Sequence, residues 1–438
     1  MNIKTRQDAL ALDAADPLRG LKDQFALPAG VIYLDGNSLG VLPKATAARV
    51  HDVITREWGQ DLIKSWNTAG WIDLPGRIGD KIARLVGAGA GELVAADSTS
   101  INLYKVLSAA LSIVKADAPA RRRIVSERSN FPTDLYIAES LAKQHGAELH
   151  LVDSVDEIPA LLNDDLAILM LTQVNYRSGY LHDMKAVTAA AHAAGALVVW
   201  DLAHSAGAIP VDLKGADADF AVGCGYKYLN GGPGASAFVW AHPRHADRFW
   251  QPLSGWMGHA APFQFTPSYA PAPGIQRYVC GTPAILSLAA LECGIDTLLA
   301  AEPFGGMGAL REKSVALTEA FIALAEQRCG VNGEDLGVRL SSPRAAAQRG
   351  SQVCLSLAAP LHEAGYAVVQ ALIARGVIGD FRAGDPARLE AVPHILRFGF
   401  TPLYVGFADV WDAVEHLREV LASGEYREPR FNAKGAVT

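Results

Sequence analysis

Residues 197 to 234 read LVVWDLAHSAGAIPVDLKGADADFAVGCGYKYLNGGPG. Two short apolar runs, LVVW and FAV, stand at either side of this stretch. The first ends in an acid, Asp201, followed by His204, and the second leads into a glycine-rich turn carrying Lys227. Short β-branched runs bounded by turn formers read as buried strands. The spacing of Asp201 and Lys227 puts them on neighbouring strands of one sheet. In open α/β sheets ligands sit beyond the carboxyl ends of the strands, so a carboxylate and an amine are aimed at one place. Taken singly, Asp201 is equally a helix N-cap, and a surface lysine in a loop is the readier reading of Lys227.

Working outward, helical patterns alternate with seven such runs between about 45 and 300: ELVAAD, RIVSER, ELHLVD, LAILMLT, ALVVWD, DFAVGC and ASAFVW. That rhythm predicts an α/β fold with a mostly parallel seven-stranded sheet covered by helices on both faces. GAGAGE at 87 to 92 reads as a helix-to-strand turn. Beyond 302 a helical stretch near 308 to 328 precedes GVRLSSP, QVCLSLAAP and HILRFGFTPLY, the strands of a smaller α+β domain. At the start, residues 5 to 25 read as helices broken at Asp16-Pro17, then a strand VIYLD and a turn GNSLG. The expected division is 1–44 as helices and an extended arm packing on the small domain, 45–301 as the large domain and 302–438 as the small one. The last dozen residues are expected to be poorly ordered.

Composition narrows the function. Half of the 438 residues are hydrophobic and 19% are charged, which fits a globular protein and not a disordered chain. A formal charge of −7 argues against nucleic acid as a partner. Arg121, Arg122 and Arg123 form one basic cluster, read as a solvated loop. The five cysteines, Cys224, Cys280, Cys293, Cys329 and Cys354, include no CxxC pair, so neither a zinc site nor a disulfide framework is expected. There is no apolar leader and no run of about 18 apolar residues, which makes a cytoplasmic enzyme without membrane contact the expectation.

An amine and a carboxylate converging on a sheet edge suit pyridoxal phosphate: the lysine forms an imine and the carboxylate keeps the pyridine ring protonated. The phosphate needs donors. AADSTSINLYKVLSAAL runs from a strand into a helix with apolar residues at Leu103, Val106, Leu107, Ala110 and Leu111. Thr99 and Ser100 fall at its start, where free N–H groups favour an anion; a plain N-cap explains them equally. Neither GxGxxG nor Gly-Lys occurs, so dinucleotide and P-loop fingerprints are absent.

The segments LDGNSLG, SWNTAGW, TSINLYKVL, SNFPTDLY, LTQVNY, WDLAHSAGA, YKYLNGGPG, LSGWMGH, YVCGT and LRFGFTPLY, in this order, resemble the kynureninases, fold-type I pyridoxal phosphate hydrolases. The resemblance runs from about residue 10 to 420. It implies cleavage of L-kynurenine to anthranilate and L-alanine in tryptophan catabolism, with 3-hydroxy-L-kynurenine as an open second substrate. Lys227, Tyr226 and Asp201 would be catalytic. Phe131 in the Phe131-Pro132-Thr133-Asp134 stretch would stack on the ring, and Thr99, Ser100, Tyr226, Trp256 and Thr282 would hold the phosphate, the last two across a homodimer interface. Asp134, Thr172 and His204 would line the ring edge. Arg397 would clamp the substrate carboxylate, with Ser38, Trp66, Trp71 and Met257 on the substrate side. Met257 stands where some relatives carry Phe, which leaves selectivity for the hydroxylated substrate open. No metal is implied. Rival readings are a cysteine desulfurase or lyase of the same fold, a noncatalytic scaffold and a nicotinamide dehydrogenase.

Overall fold

The chain builds its large sheet from short strands, all largely buried except the edge strand Glu148–Val152. In the computed structural model, which describes residues 3–433 and 435, these strands lie in the spatial order Leu93–Ala95, Phe238–Ala241, Phe220–Gly223, Leu197–Asp201, Leu166–Thr172, Arg123–Glu127 and Glu148–Val152. Phe238–Ala241 runs against its neighbours and the other strands share one direction. Every residue of Leu166–Thr172 is buried, as a strand covered by helices on both faces requires. The seven expected runs all became strands of this sheet. The helix Thr99–Asp117 buries Leu103, Val106, Leu107, Ala110 and Leu111 as its periodicity predicts, and it also buries Asn102, Lys105 and Ser108.

The described chain forms two compact units. The sheet belongs to the unit made of Lys44–Tyr176 and His182–Asp296. The other comprises Met1–Pro43, Arg177–Leu181 and Thr297–Thr438. In it an antiparallel sheet has the order Asp380–Arg382, Ile395–Gly399, Gln352–Leu357, Val338–Leu340. Ile32–Tyr33 pairs in parallel with Val377–Ile378. Val377–Ile378 and Asp380–Arg382 carry no alternating pattern long enough to read, so sequence alone passes over them.

Local signals set the ends of the elements. Thr5 and Asp8 form a capping box for the helix Arg6–Ala15, which stops at Asp16 before Pro17, and a 3₁₀ turn follows at Arg19–Gln24. The long helix spans Gly306–Cys329. Arg121 donates to the carbonyls of Asn163 and Leu166, and Arg123 pairs with Asp165, so two of the three basic residues are tied down locally. Part of the C-terminal dozen is helical, Pro429–Asn432; 434 and 436–438 lie outside the described residues. Among the described residues no helix is long and apolar enough to cross a membrane.

Candidate active site

Adjacent strand ends assemble the site. Thr172 and Asp201 finish neighbouring parallel strands and face one another in register, and Asp201 is in turn opposite Val222. Lys227 follows one turn after that strand. The turn is closed by Gly231 N–H to Gly225 C=O at 2.9 Å and Asn230 N–H to Lys227 C=O at 3.0 Å, with Asn230 at φ 54°. Beyond these ends a cleft of about 130 Å³ is lined by Thr99, Ser100, Phe131, Thr133, Asp134, Thr172, Asp201, His204, Tyr226 and Lys227. Sequence reading named all ten. It missed Ser98, Tyr176 and Ala203, which also line the cleft.

Within the cleft the Lys227 amine lies 3.0 Å from His204 Nε2 and 5.9 Å from the centre of the Phe131 ring. Phe131 is 44% exposed, leaving its ring available to a planar ligand. Its backbone N–H donates to Asn130 Oδ1 at 2.6 Å, the same oxygen accepts from the Thr172 hydroxyl, and Asn130 Nδ2 donates to Ser126 Oγ at 3.2 Å. Tyr176 meets the Phe131 ring edge-on at 5.4 Å. Pro132 does not line the cleft; it is the first residue of the helix Pro132–His145, where its missing N–H costs nothing.

Two buried acids face each other here. Burial raises the Asp134 carboxyl well above the usual range, and the Asp201 charge and a hydrogen bond to it add to the rise. Burial also raises Asp201, against the pull of Lys227, the Ala203 N–H, Asp134 and Thr172. One proton therefore resides on Asp134, which donates to the Asp201 carboxylate. Burial likewise lifts Tyr226 above the normal tyrosine range, so it stays a phenol. Asp134 Oδ2 is buried without a hydrogen-bond partner. An unpartnered polar atom, an exposed aromatic face and the N–H groups of a helix start on one cleft fit a planar, anionic cofactor carrying a hydroxyl.

In the other unit Arg397 is 1% exposed. It sits opposite Asp380 in register, is ion-paired with it and donates to Ser38 Oγ at 2.8 Å. With its amide oriented to satisfy both groups, Asn37 accepts from Arg397 Nε at 2.9 Å. Burial beside Asp380 pushes the Asp35 carboxyl up to about 7.

The remaining expected residues lie elsewhere in the sheet-bearing unit. Trp66 and Trp71 pack edge to face at 6.0 Å, and Trp71 Nε1 donates to the buried Glu57 at 2.7 Å. Met257 is not on the cleft; it is buried in the core beside residues such as Ile275, Tyr278 and Val279. Trp256 stacks on Phe265 at 6.2 Å, and Thr282 lines a separate hollow with Asp97, Ser236 and Cys280. Neither reaches the Lys227 cleft of its own chain. None of the five cysteines lines that cleft either.

Residues 75–332 match the aminotransferase class-V family, and residues 310–417 match the kynureninase C-terminal domain. A kynureninase of Burkholderia pseudomallei is 56% identical over 438 residues, all of both chains. The chain belongs to the kynureninase family. A kynureninase of Pseudomonas fluorescens is 55% identical over 436 residues, 99% of this chain and all of that one. Kynureninases are pyridoxal phosphate hydrolases of tryptophan catabolism, and membership makes this chain one of them. Among solved structures, the apo cysteine desulfurase of Thermococcus onnurineus NA1 superposes with a TM-score of 0.74 at 20% identity, covering 92% of this chain and 98% of that one. At that identity the likeness speaks for the fold alone, the class-V fold that kynureninases share with desulfurases.

Proposed function

We propose that this kynureninase cleaves the Cβ–Cγ bond of L-kynurenine with one water, giving anthranilate and L-alanine, and that the Lys227 cleft is its reaction centre. One observation carries the assignment: the Lys227 amine shares a single cleft with the Asp134–Asp201 pair and with the start of the helix Thr99–Asp117. Pyridoxal phosphate, when bound, supplies an electron sink at its protonated ring. Lys227 would hold it through its amine and, as a free amine, would take the proton from the substrate Cα. Asp201 would hold the ring-nitrogen proton, Phe131 would cover the ring face, and Thr99 and Ser100 would bind the phosphate with the helix N–H groups. Asp134, Thr172 and His204 line the ring edge.

Arg397 is assigned to the substrate α-carboxylate, with Ser38 steadying its guanidinium. Ser38 and Trp66 are assigned to the substrate side. Tyr226, a phenol at neutral pH, is assigned the proton delivered to Cβ as anthranilate departs. Trp256 and Thr282 are assigned to the phosphate of a second copy, because neither lines the cleft of its own chain. The working form is then a cytoplasmic homodimer with shared sites.

Steady-state kinetics on L-kynurenine and on 3-hydroxy-L-kynurenine, with anthranilate or its hydroxylated counterpart and alanine both quantified, tests the assignment. Equimolar aryl product and alanine are expected. Sulfide release from cysteine without anthranilate formation overturns it.

A further inference from the structure

Lys105 lies in the interior of the helix Thr99–Asp117, and its side chain is 1% exposed. A lysine that deep is costly unless each of its protons is used. All three are. The Nζ group donates to the Asp97 carboxylate, to Asn102 Oδ1 at 3.4 Å and to the backbone carbonyl of Tyr278.

These acceptors share one purpose. Asp97 stands at φ 50° in the elbow between the strand Leu93–Ala95 and the helix, two residues before Thr99. Asn102 turns its other amide end back to the Ala96 carbonyl at 2.8 Å, so the elbow is held on both sides. Asp97 C=O accepts from Ala237 N–H at 2.9 Å, which fixes it to the sheet. The third acceptor, Tyr278, is fully buried and ends the 3₁₀ turn Gly274–Tyr278. Cys280, Gly281 and Thr282 follow and share a hollow with Asp97. A single ammonium thus ties the turn that presents Thr99 and Ser100 to the segment that presents Thr282.

We infer that Lys105 is a positioning residue for cofactor phosphate: it fixes the turn that presents Thr99 and Ser100 to the phosphate of its own chain against the segment that presents Thr282 to that of a second copy, without touching either phosphate. The inference rests on the phosphate assignments proposed above. Lys105 contributes through geometry, since its charge is neutralised locally by Asp97.

Lys105→Met keeps most of the side-chain volume but leaves Asp97 without its partner, which destabilises the fold, so the double variant below, which removes both charges, separates position from packing. The full-length protein, stripped of cofactor, is titrated with pyridoxal 5′-phosphate and with pyridoxal, which lacks the phosphate, and binding is followed by absorbance; thermal denaturation of the unloaded protein runs in parallel. Lys105→Met is expected to weaken pyridoxal phosphate binding about tenfold, the scale of one well-aimed charge-assisted hydrogen bond, and to leave pyridoxal binding unchanged. The phosphorus resonance of the bound cofactor should shift. The double variant Lys105→Met with Asp97→Asn, which removes the charges in pairs, is expected to stay equally defective. Equal loss for both ligands, no loss for either, or recovery in the double variant overturns the inference. Thr99→Val is the control for the underlying assignment: if it leaves phosphate selectivity intact while Lys105→Met destroys it, the phosphate site has been misplaced and this inference falls with it.

Discussion

At the scale of single residues, protonation separates groups that look alike in a sequence. Lys227→Ala is expected to lower kcat by at least about 10³-fold, the scale of losing a positioned acid–base group, and to abolish the visible absorbance of lysine-bound cofactor; retained absorbance would refute the attachment site. Asp134 holds its proton far above the normal range because of burial and Asp201. A carboxyl whose folded pKa is raised contributes stability below its unfolded value that is lost as pH rises through the folded one. Asp134→Asn, which keeps the donor and removes the proton equilibrium, should therefore flatten the fall in melting temperature of the unloaded protein as pH rises above about 4. The same holds for Asp35, raised to about 7 by burial beside Asp380. Asp35→Asn should remove a loss of stability that runs from the ordinary carboxylate range up through pH 7, read by thermal melts across pH; an unchanged slope would show that Asp35 is ionised throughout. Lys227 and Asp201 could be found in the sequence because each follows a short apolar run. Asn130, Asp380 and Asp35 could not, since their importance comes from partners that only the folded backbone supplies: Thr172 for Asn130, Arg397 for Asp380, and Asp380 for Asp35.

At the scale of elements, the site depends on how a helix begins and on how closely another approaches. Ser98 caps the helix Thr99–Asp117 by accepting from Ile101 N–H. Ser98→Ala should cost about 0.5–2 kcal/mol, seen in chemical denaturation, with weakened cofactor binding because the same turn presents Thr99 and Ser100. On the other side, the helix Ile285–Leu299 lays Gly294 against the turn after Lys227. A Cβ there would stand 2.2 Å from the Leu229 carbonyl oxygen. Gly294→Ala must push the turn away, and it is expected to lower the melting temperature and the occupancy of the cofactor together; a variant that melts early but loads normally would show that the turn moves independently of the site. Six of the seven large-sheet strands were readable because burial leaves mainly apolar runs, and the edge strand Glu148–Val152 because its exposed and covered residues alternate. Val377–Ile378 and Asp380–Arg382 of the other unit were not, since pairing with distant partners defines them.

At the scale of the whole molecule, Trp256 and Thr282 make oligomerisation the decisive variable, because each is assigned to the cofactor of a second copy. An apolar hollow lined by Val53, Trp58, Trp71 and Leu286 lies open on the sheet-bearing unit, with Trp58 58% exposed. Trp58→Arg is expected to convert a species of twice the chain mass into one of single mass, by light scattering, and to abolish activity along with it; a fully active single chain would overturn the shared site. The division of the chain into units has a different consequence. The unit that carries Arg397 is stitched from the first 43 residues, five from the middle and the final stretch. Its opening helix Arg6–Ala15 relies on partners near the far end: Arg6 pairs with Asp412, and Asp13 accepts from the N–H groups of Phe407 and Ala408. On the ribosome, the helix Arg6–Ala15 must therefore wait for Asp412, made 406 residues after Arg6. The large sheet has all seven of its strands once Ala241 has emerged, while the helix Arg6–Ala15 stays without its partners, open to chaperones and proteases, until Asp412 has followed.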